Sequence, residues 1–177
     1  AKDHYTKGHS NRVAEYSREL ARRMGKNEQE QNEIYYMGLL HDIGKIGIPD
    51  EIINKATILT DEEYKTIKNH TIIGADILKN VTEMPFVAEG ARWHHERYDG
   101  KGYPDGLEGK QIPERARIIA VADAYDAMTS HRSYRDKLSQ AEVRKEFVTK
   151  AGLQFDPDIA KIMVQMIDED TEFELHD

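Results

Sequence analysis

Histidines and aspartates recur along the chain at intervals of about one helix plus a connection. Five histidines and two aspartates form this series: His9, His41, Asp42, His70, His94, His95 and Asp123. Imidazole and carboxylate groups are good ligands for divalent transition metals. Because helical bundles build metal sites from side chains on facing helices, the spacing predicts that successive helices deliver these groups to one centre. Taken singly, each histidine is more often structural, so the prediction depends on the whole series.

Two members of the series are adjacent pairs, His41 with Asp42 and His94 with His95. Each pair lies near the end of a predicted helix, where the helix dipole favours a cation. Neighbouring helical residues point about 100° apart, so a pair serves two adjacent metals more easily than one. We therefore expect two divalent metal ions with Asp42 as a bridging carboxylate. A set without thiolate suits Fe, Mn, Ni, Co or Zn, with Fe or Mn favoured if the sites are six-coordinate.

The elements that must position these groups are predicted to be helices. Apolar residues follow helical spacing along most of the chain, and no segment shows sustained two-residue alternation. Capping patterns at Thr60 with Glu63, at Ser139 with Glu142 and at Asp156 before Pro157 mark three helix starts. A further helix is predicted over residues 114–129, after a glycine-rich loop over 98–113. The pattern favours an all-α fold, a single compact helical bundle with a metal site in its core.

Composition excludes several classes of function. The chain has 177 residues and a net charge of −8, which fits one domain over residues 1–177 and argues against DNA or RNA binding. There is no cysteine, which excludes a disulfide scaffold, a thiolate zinc site and a cysteine nucleophile. No apolar run approaches the ~20 residues of a membrane helix. We expect a cytoplasmic domain excised from a longer signalling protein.

Two motifs carry a resemblance to a known family. Residues 41–45, HDIGK, resemble the signature of the HD metal-dependent phosphohydrolases. Residues 94–107, HHERYDGKGYPDGL, are similar to the hallmark loop of the HD-GYP subfamily. Shorter matches lie at residues 8–13, 112–118, 122–129 and 152–157, so the resemblance covers about residues 3–165. The long joined motif makes chance agreement a poor explanation.

The resemblance implies a phosphodiesterase that opens cyclic di-GMP to linear pGpG and, in some members, continues to GMP. A phosphohydrolase for another cyclic nucleotide or dinucleotide, and a catalytically weak cyclic di-GMP receptor, are the alternatives. The family's metal ligands correspond to the same seven residues that the spacing selects. Some members hold a third metal through a glutamate where this chain has Tyr5, so we expect two metals.

Phosphodiester hydrolysis needs charge neutralisation and a strong nucleophile. Two metals supply both by acidifying a bridging water, whose hydroxide attacks phosphorus in line with the leaving oxygen. Asp42 would bridge the metals, and Lys45, three residues later, would bind a non-bridging phosphate oxygen. Asp42 and Lys45 are therefore the predicted catalytic residues.

Several residues are predicted to bind substrate. Gly102 lets the loop approach a ligand closely, and Tyr103 either stacks on guanine or packs the loop onto the bundle. Asp126, one turn after Asp123, orients a bound water or a ligand, or pairs with an arginine. By resemblance, Arg132 and Arg135 bind the second phosphate or a guanine edge, unless they face solvent. The family also uses the Gly102-Tyr103-Pro104 loop to contact diguanylate cyclase domains, and homodimer formation is left open.

Overall fold

The computed structural model describes residues 2–130, 137–172 and 174–175, with side chains from residue 8 onward. These residues form nine α-helices: α1 (Lys2–Arg23), α2 (Glu28–Leu40), α3 (Asp50–Ile53), α4 (Asp61–Lys68), α5 (His70–Leu78), α6 (Val87–Trp93), α7 (Glu114–Thr129), α8 (Gln140–Thr149) and α9 (Pro157–Glu169). Two 3₁₀ segments span Ile43–Gly47 and Gly109–Gln111. Within the described ranges no strand is present beyond two isolated bridges. The all-α prediction is confirmed.

The three predicted helix starts are capped as the sequence indicates. The Thr60 and Ser139 hydroxyls each accept a hydrogen bond from the backbone N–H three residues later. The glutamate at that position accepts a hydrogen bond from the backbone N–H of the capping residue. The Asp156 carboxylate accepts from the first N–H groups of α9, which begins at Pro157. These bonds satisfy donors that a helix leaves unpaired at its start.

Other helix boundaries carry weaker sequence signals. Helix α6 begins at Val87, two residues after Pro85. The chain breaks between α4 and α5 at Asn69, and the short helix α3 and the 3₁₀ segment after Asp42 carry no periodic signal. Elements of three to five residues are too short to show a helical repeat, because one turn takes 3.6 residues.

Helices α1, α2, α6, α7, α8 and α9 contribute buried side chains to the core. Its fully buried side chains include Val13, Leu20, Ile34, Met37, Ile118, Ile119, Tyr125 and Met163. At one end of this core, Gly44 lies so close to α5 that a Cβ atom there would be 1.8 Å from the His70 carbonyl oxygen. Gly74 of α5 in turn faces Ala91 of α6. These close approaches bring the segments after α2, at the start of α5 and at the end of α6 together.

The helices are those of a compact bundle. None of those among the described residues combines the length and apolar character that crossing a membrane requires.

Candidate metal centre

Five helices bring the seven predicted ligand residues together. His9 lies on α1 and Asp123 on α7, while His41, Asp42, His94 and His95 follow directly after α2 and α6, and His70 begins α5. The side chains form two groups, one of Asp42, His70, His94 and His95, the other of His9, His41 and Asp123. Within each group, one ligand atom from every residue lies within 4.8 Å of the others.

Asp42 belongs to the first group and also reaches the second. Its Oδ2 atom is 3.3 Å from the Nε2 atoms of both His9 and His41. Its Oδ1 atom is 3.5 Å from Nε2 of His70 and 3.6 Å from Nε2 of His94. One oxygen therefore faces each group, which is the arrangement that a bridging carboxylate requires.

Four histidines are held with their Nε2 atoms toward the centre. The Nδ1 atom of His41 is 2.6 Å from the Gly38 carbonyl oxygen, that of His70 is 2.7 Å from the Ile67 oxygen, and that of His94 is 2.8 Å from the Gly90 oxygen. His9 Nδ1 is 2.6 Å from an Asp126 oxygen. Because an acceptor faces each Nδ1, that nitrogen donates and Nε2 can offer its lone pair to a metal.

Buried acceptor atoms without donors show that these residues fit a cation. Among the described residues, His41 Nε2 and Asp42 Oδ1 are buried without a hydrogen-bond partner. The Nε2 atoms of His70 and His94 face each other at 3.4 Å. Buried polar atoms are normally satisfied, and a divalent metal is the group that several converging nitrogen and carboxylate atoms suit. The described residues therefore contain candidate ligand clusters for divalent transition metals.

Carboxylates give one side of the centre a strongly negative potential. Burial by itself lowers the pKa of His9, but hydrogen bonds to Asp123, Asp126 and Asp42 outweigh burial and raise it to about 11. Burial likewise opposes protonation of His41, yet Asp42 and Asp123 raise its pKa to about 9. The potential that attracts protons here also attracts a divalent cation, so metal and protons compete and metal binding weakens as pH falls.

In the group that contains His70 and His95, burial outweighs the effect of nearby carboxylates on the pKa values of these two histidines. Burial and the neighbouring charge of His94 lower the pKa of His70 to about 4. Burial also lowers the pKa of His95 well below its usual range. Neutral imidazole is the form that binds a metal, so these two histidines are ready to coordinate at neutral pH.

Asp126 supports His9 from behind. Its side chain is fully buried, accepts from His9 Nδ1, and also accepts from Arg12 Nε at 2.5 Å and Arg12 Nη2 at 3.2 Å. These contacts fit two of the roles left open by the sequence, orientation of a metal ligand and pairing with an arginine, and substrate binding by Asp126 stays a prediction.

Lys45 lies at the edge of the centre. Its Nζ atom is 2.7 Å from Asp42 Oδ2, and its side chain is 40% exposed. Asp123 is also partly exposed, at 18%, so the centre opens to solvent on this side. The 3₁₀ segment after Asp42 produces this approach, since it places the lysine one turn after the aspartate.

The glycine-rich loop covers the centre with Tyr103. The Tyr103 ring stacks on the His95 ring, with centroids 4.9 Å apart and planes 17° apart, and burial raises the pKa of its hydroxyl. Gly102 is required by close packing of the loop on itself, because a Cβ atom there would lie 2.5 Å from the His95 carbonyl oxygen. The contact with His95 packs the loop onto the bundle, and stacking of Tyr103 on guanine stays a prediction.

Glu96 and Asp105 organise this loop, and the sequence reasoning missed both. The Glu96 carboxylate is buried and accepts from the backbone N–H groups of Asp105 at 2.7 Å and Leu107 at 3.0 Å. The Asp105 carboxylate accepts from Arg92 and from the Trp93 indole at 2.7 Å. The sequence signal for Glu96 was its position directly after the histidine pair, where no other predicted role required an acidic residue.

Three residues of the sequence-based hypothesis lie outside the described part of the structure. They are Arg132 and Arg135, which belong to residues 131–136, and Tyr5, whose side chain precedes residue 8.

Comparison with known proteins identifies the family. The model of the HD domain matches residues 1–159. This chain belongs to the HD domain family. It is 41% identical over 173 residues to a cyclic di-GMP phosphodiesterase of Thermotoga maritima, covering 97% of this chain and 47% of that protein. It is 36% identical over 171 residues to the 3'3'-cGAMP-specific phosphodiesterase 2 of Vibrio cholerae, covering 96% of this chain and 33% of that protein.

A solved structure supports the fold of this HD domain. The HDG"Y"P protein Bd1817 of Bdellovibrio bacteriovorus superposes with a TM-score of 0.75 at 21% identity, covering 92% of this chain and 52% of that one. The family match and the names of the curated relatives confirm the family resemblance that the motifs carry. The HD domain spans half or less of the length of the two curated relatives described above.

Proposed function

We propose that this HD domain is a metal-dependent phosphodiesterase that opens cyclic di-GMP to linear pGpG. The observation that carries the proposal is the pair of ligand groups on either side of Asp42, next to the Lys45 ammonium. The choice of substrate is supported by a relative that is named a cyclic di-GMP phosphodiesterase and is 41% identical over 97% of this chain. Residues 1–177 would act as one catalytic domain.

Two metal ions are the proposed cofactors, with Fe or Mn favoured. His9, His41 and Asp123 would hold one ion, while His70, His94 and His95 would hold the other, and Asp42 would contribute to both. When bound, such ions neutralise phosphoryl charge and lower the pKa of a water molecule. The nitrogen and carboxylate donor set supports this assignment, as do the two buried atoms that have no hydrogen-bond partner.

The protein's own residues would position the diester. Lys45 would donate to a non-bridging phosphate oxygen, as its place at the open edge of the centre allows. Asp126 and the backbone carbonyl groups would keep the imidazole rings in their ligating orientation. Tyr103 would close one side of the site above His95. Phosphoryl transfer depends mainly on positioning and electrostatic stabilisation, so this set needs no nucleophilic side chain.

Metal analysis combined with product chromatography tests the proposal. Protein loaded with Fe(II) or Mn(II) is expected to convert cyclic di-GMP to pGpG, and chelator-treated protein is expected to lose the activity and recover it on metal addition. Absence of turnover at full metal occupancy would contradict the proposed function.

Hydrolysis of 3'3'-cGAMP is a second candidate. It is favoured by the cGAMP-specific name of a relative 36% identical over 96% of this chain. Turnover of cyclic di-GMP, 3'3'-cGAMP and cyclic di-AMP by one preparation separates the two candidates. A higher kcat/KM for 3'3'-cGAMP than for cyclic di-GMP would replace the first proposal with the second.

A further inference from the structure

A row of aromatic and cationic side chains leads outward from the metal centre. Tyr103 stacks on His95, and the Lys68 ammonium lies 5.4 Å from the centroid of the Tyr103 ring. The same ammonium lies 4.5 Å from the centroid of the Tyr64 ring. Lys68 is the last residue of α4, and Tyr64 lies one turn earlier on that helix. We call Tyr64, Lys68 and Tyr103 the outer row.

Aromatic rings surround the charge of Lys68, whereas the charges of Lys45 and Lys55 are paired with carboxylates. Lys45 pairs with Asp42 and Lys55 pairs with Glu63, both at 2.7 Å. Within the described ranges, the Lys68 ammonium contacts ring faces and forms no ion pair with a carboxylate. A ring face attracts the cation as a whole, whereas a carboxylate accepts hydrogen bonds from its N–H groups. The N–H groups of Lys68 therefore stay able to donate to a ligand. The outer row therefore holds a donor in a defined place with capacity to bond a ligand.

Position and surroundings indicate which part of a nucleotide would meet this donor. The reacting phosphate must lie at the metal centre, and Tyr103 separates Lys68 from His95 by one ring. Tyr64 is 48% exposed and the Lys68 ammonium lies over its ring, so a base can approach both groups from solvent. Aromatic rings stack on nucleotide bases whatever the base. A flat surface beside a single donor suits a base more than a phosphate, which is bound best by several donors.

We propose that Lys68 selects guanine in a cyclic dinucleotide by donating to the base edge that carries O6 and N7, while the exposed rim of the Tyr64 ring packs against the base. Guanine presents two acceptors on this edge, whereas adenine replaces O6 with an amino donor that repels an ammonium. The proposal rests on the proposed function, because it places the reacting phosphate at the metal centre. Helix α4, which lies outside the glycine-rich loop, would then recognise the base.

Binding of hydrolysis-resistant phosphorothioate forms of cyclic di-GMP and cyclic di-AMP to the metal-loaded protein tests this role. Lys68→Met is expected to weaken cyclic di-GMP binding about tenfold, the lower end of what a base contact discriminates, and cyclic di-AMP less than twofold. Lys68→Arg keeps the donors and should stay within threefold of wild type. Tyr64→Leu should weaken both ligands alike. Lys65→Met, an exposed lysine on the same helix, is the matched control.

A diester without a purine provides a second readout. Hydrolysis of bis(p-nitrophenyl) phosphate by Lys68→Met is expected to match wild type, which shows that metal and fold are intact. Equal weakening of the guanine and adenine ligands would make Lys68 a phosphate contact and overturn the proposal, as would unchanged binding of both. If wild-type protein neither binds nor opens cyclic di-GMP, the proposed function fails too. If it does both and Lys68→Met retains its selectivity, only this inference fails.

Discussion

Asp42 contacts histidines of both ligand groups in the centre. Its two oxygens face different histidine groups, and its pKa is held well below the usual range: burial would raise it, but the charges of His41 and Lys45 prevail. A carboxylate with one oxygen toward each group can share charge between two cations. An amide or a methyl group at this position could not.

Asp42→Ala is expected to remove metal and activity together. Loss of the shared ligand should reduce metal content from about two ions to one or none, and turnover of cyclic di-GMP by about 10³-fold or more. Mass spectrometric metal analysis and product chromatography measure the two effects. Asp76→Ala, an exposed aspartate on α5, should change neither. Wild-type activity in the Asp42 variant would exclude the bridging role.

Lys45→Met should separate substrate binding from metal binding. A charge-assisted hydrogen bond contributes about 1.5–3 kcal/mol, so kcat/KM should fall about 10- to 100-fold, while metal content stays at the wild-type value. Lys79→Met, which removes an exposed lysine on the surface, serves as the control. Unchanged kinetics in the Lys45 variant would remove this lysine from the mechanism.

The loop after His95 and the segment after Asp42 are short elements shaped by single contacts. Glu96 holds two backbone N–H groups of the loop, and Asp105 ties the loop to Arg92 and Trp93 of α6. Gly44 lets the 3₁₀ segment lie against α5. In both cases a single residue makes the contact that holds a segment next to predicted ligand residues.

Glu96→Ala is expected to loosen the loop and with it Tyr103. Two backbone N–H groups lose their acceptor, so KM for cyclic di-GMP should rise about five- to tenfold, in line with ~1–1.5 kcal/mol for the lost bonds. Trp93 is the single tryptophan of the chain and donates to Asp105, so its emission should shift to longer wavelength. Glu83→Ala, an exposed glutamate, provides the comparison. An unchanged Trp93 spectrum would refute the link between Glu96 and the loop.

Gly44→Ala should be strongly destabilising. The added methyl group would overlap the His70 carbonyl oxygen and the Gly74 nitrogen, and overpacking of this kind costs about 3 kcal/mol or more. Gly25→Ala is the matched control, because Gly25 has a φ of 79° but no atom within 4 Å of the added position. It should lose only the ~1–2 kcal/mol of left-handed strain. Urea denaturation measures both, and equal losses would contradict the close approach of Gly44.

The whole bundle positions the candidate metal centre. The ligand residues come from α1, α7 and the ends of α2, α5 and α6, so bound metal would connect five helices. Without a metal, the centre concentrates buried acceptor atoms and carboxylate charge in the core. A cation that binds only the folded chain stabilises it by mass action.

Removal of metal should therefore lower stability as well as activity. At a free metal concentration about 100-fold above the dissociation constant, one site adds about 2.7 kcal/mol, and a chelator should remove this contribution and lower the Tm. Calorimetry with and without chelator measures the change. The Asp42→Ala protein should show a smaller shift than wild type, and an equal shift would place the bound metal elsewhere.

Much of this architecture could be predicted from local patterns. The caps at Thr60 and Ser139 are local features, since a hydroxyl and a glutamate three residues apart satisfy the same helix start wherever the helix lies. The spacing of the histidines by about one helix also predicted that they meet, because the chain of a helical bundle turns back on itself at each connection. The contacts of Glu96, the approach of Gly44 to α5 and the place of Lys68 between two rings could not be predicted in this way.

Residue types and their order along the chain determined by themselves that this protein is helical and which seven side chains could bind metal. The tertiary structure alone decided how those side chains divide into two groups, which oxygen of Asp42 faces each group, and that Asp126 and backbone carbonyls orient the rings. The physical reason is that helical periodicity and capping act between residues three or four positions apart. The direction of a ligand atom depends on packing between helices that are distant in sequence.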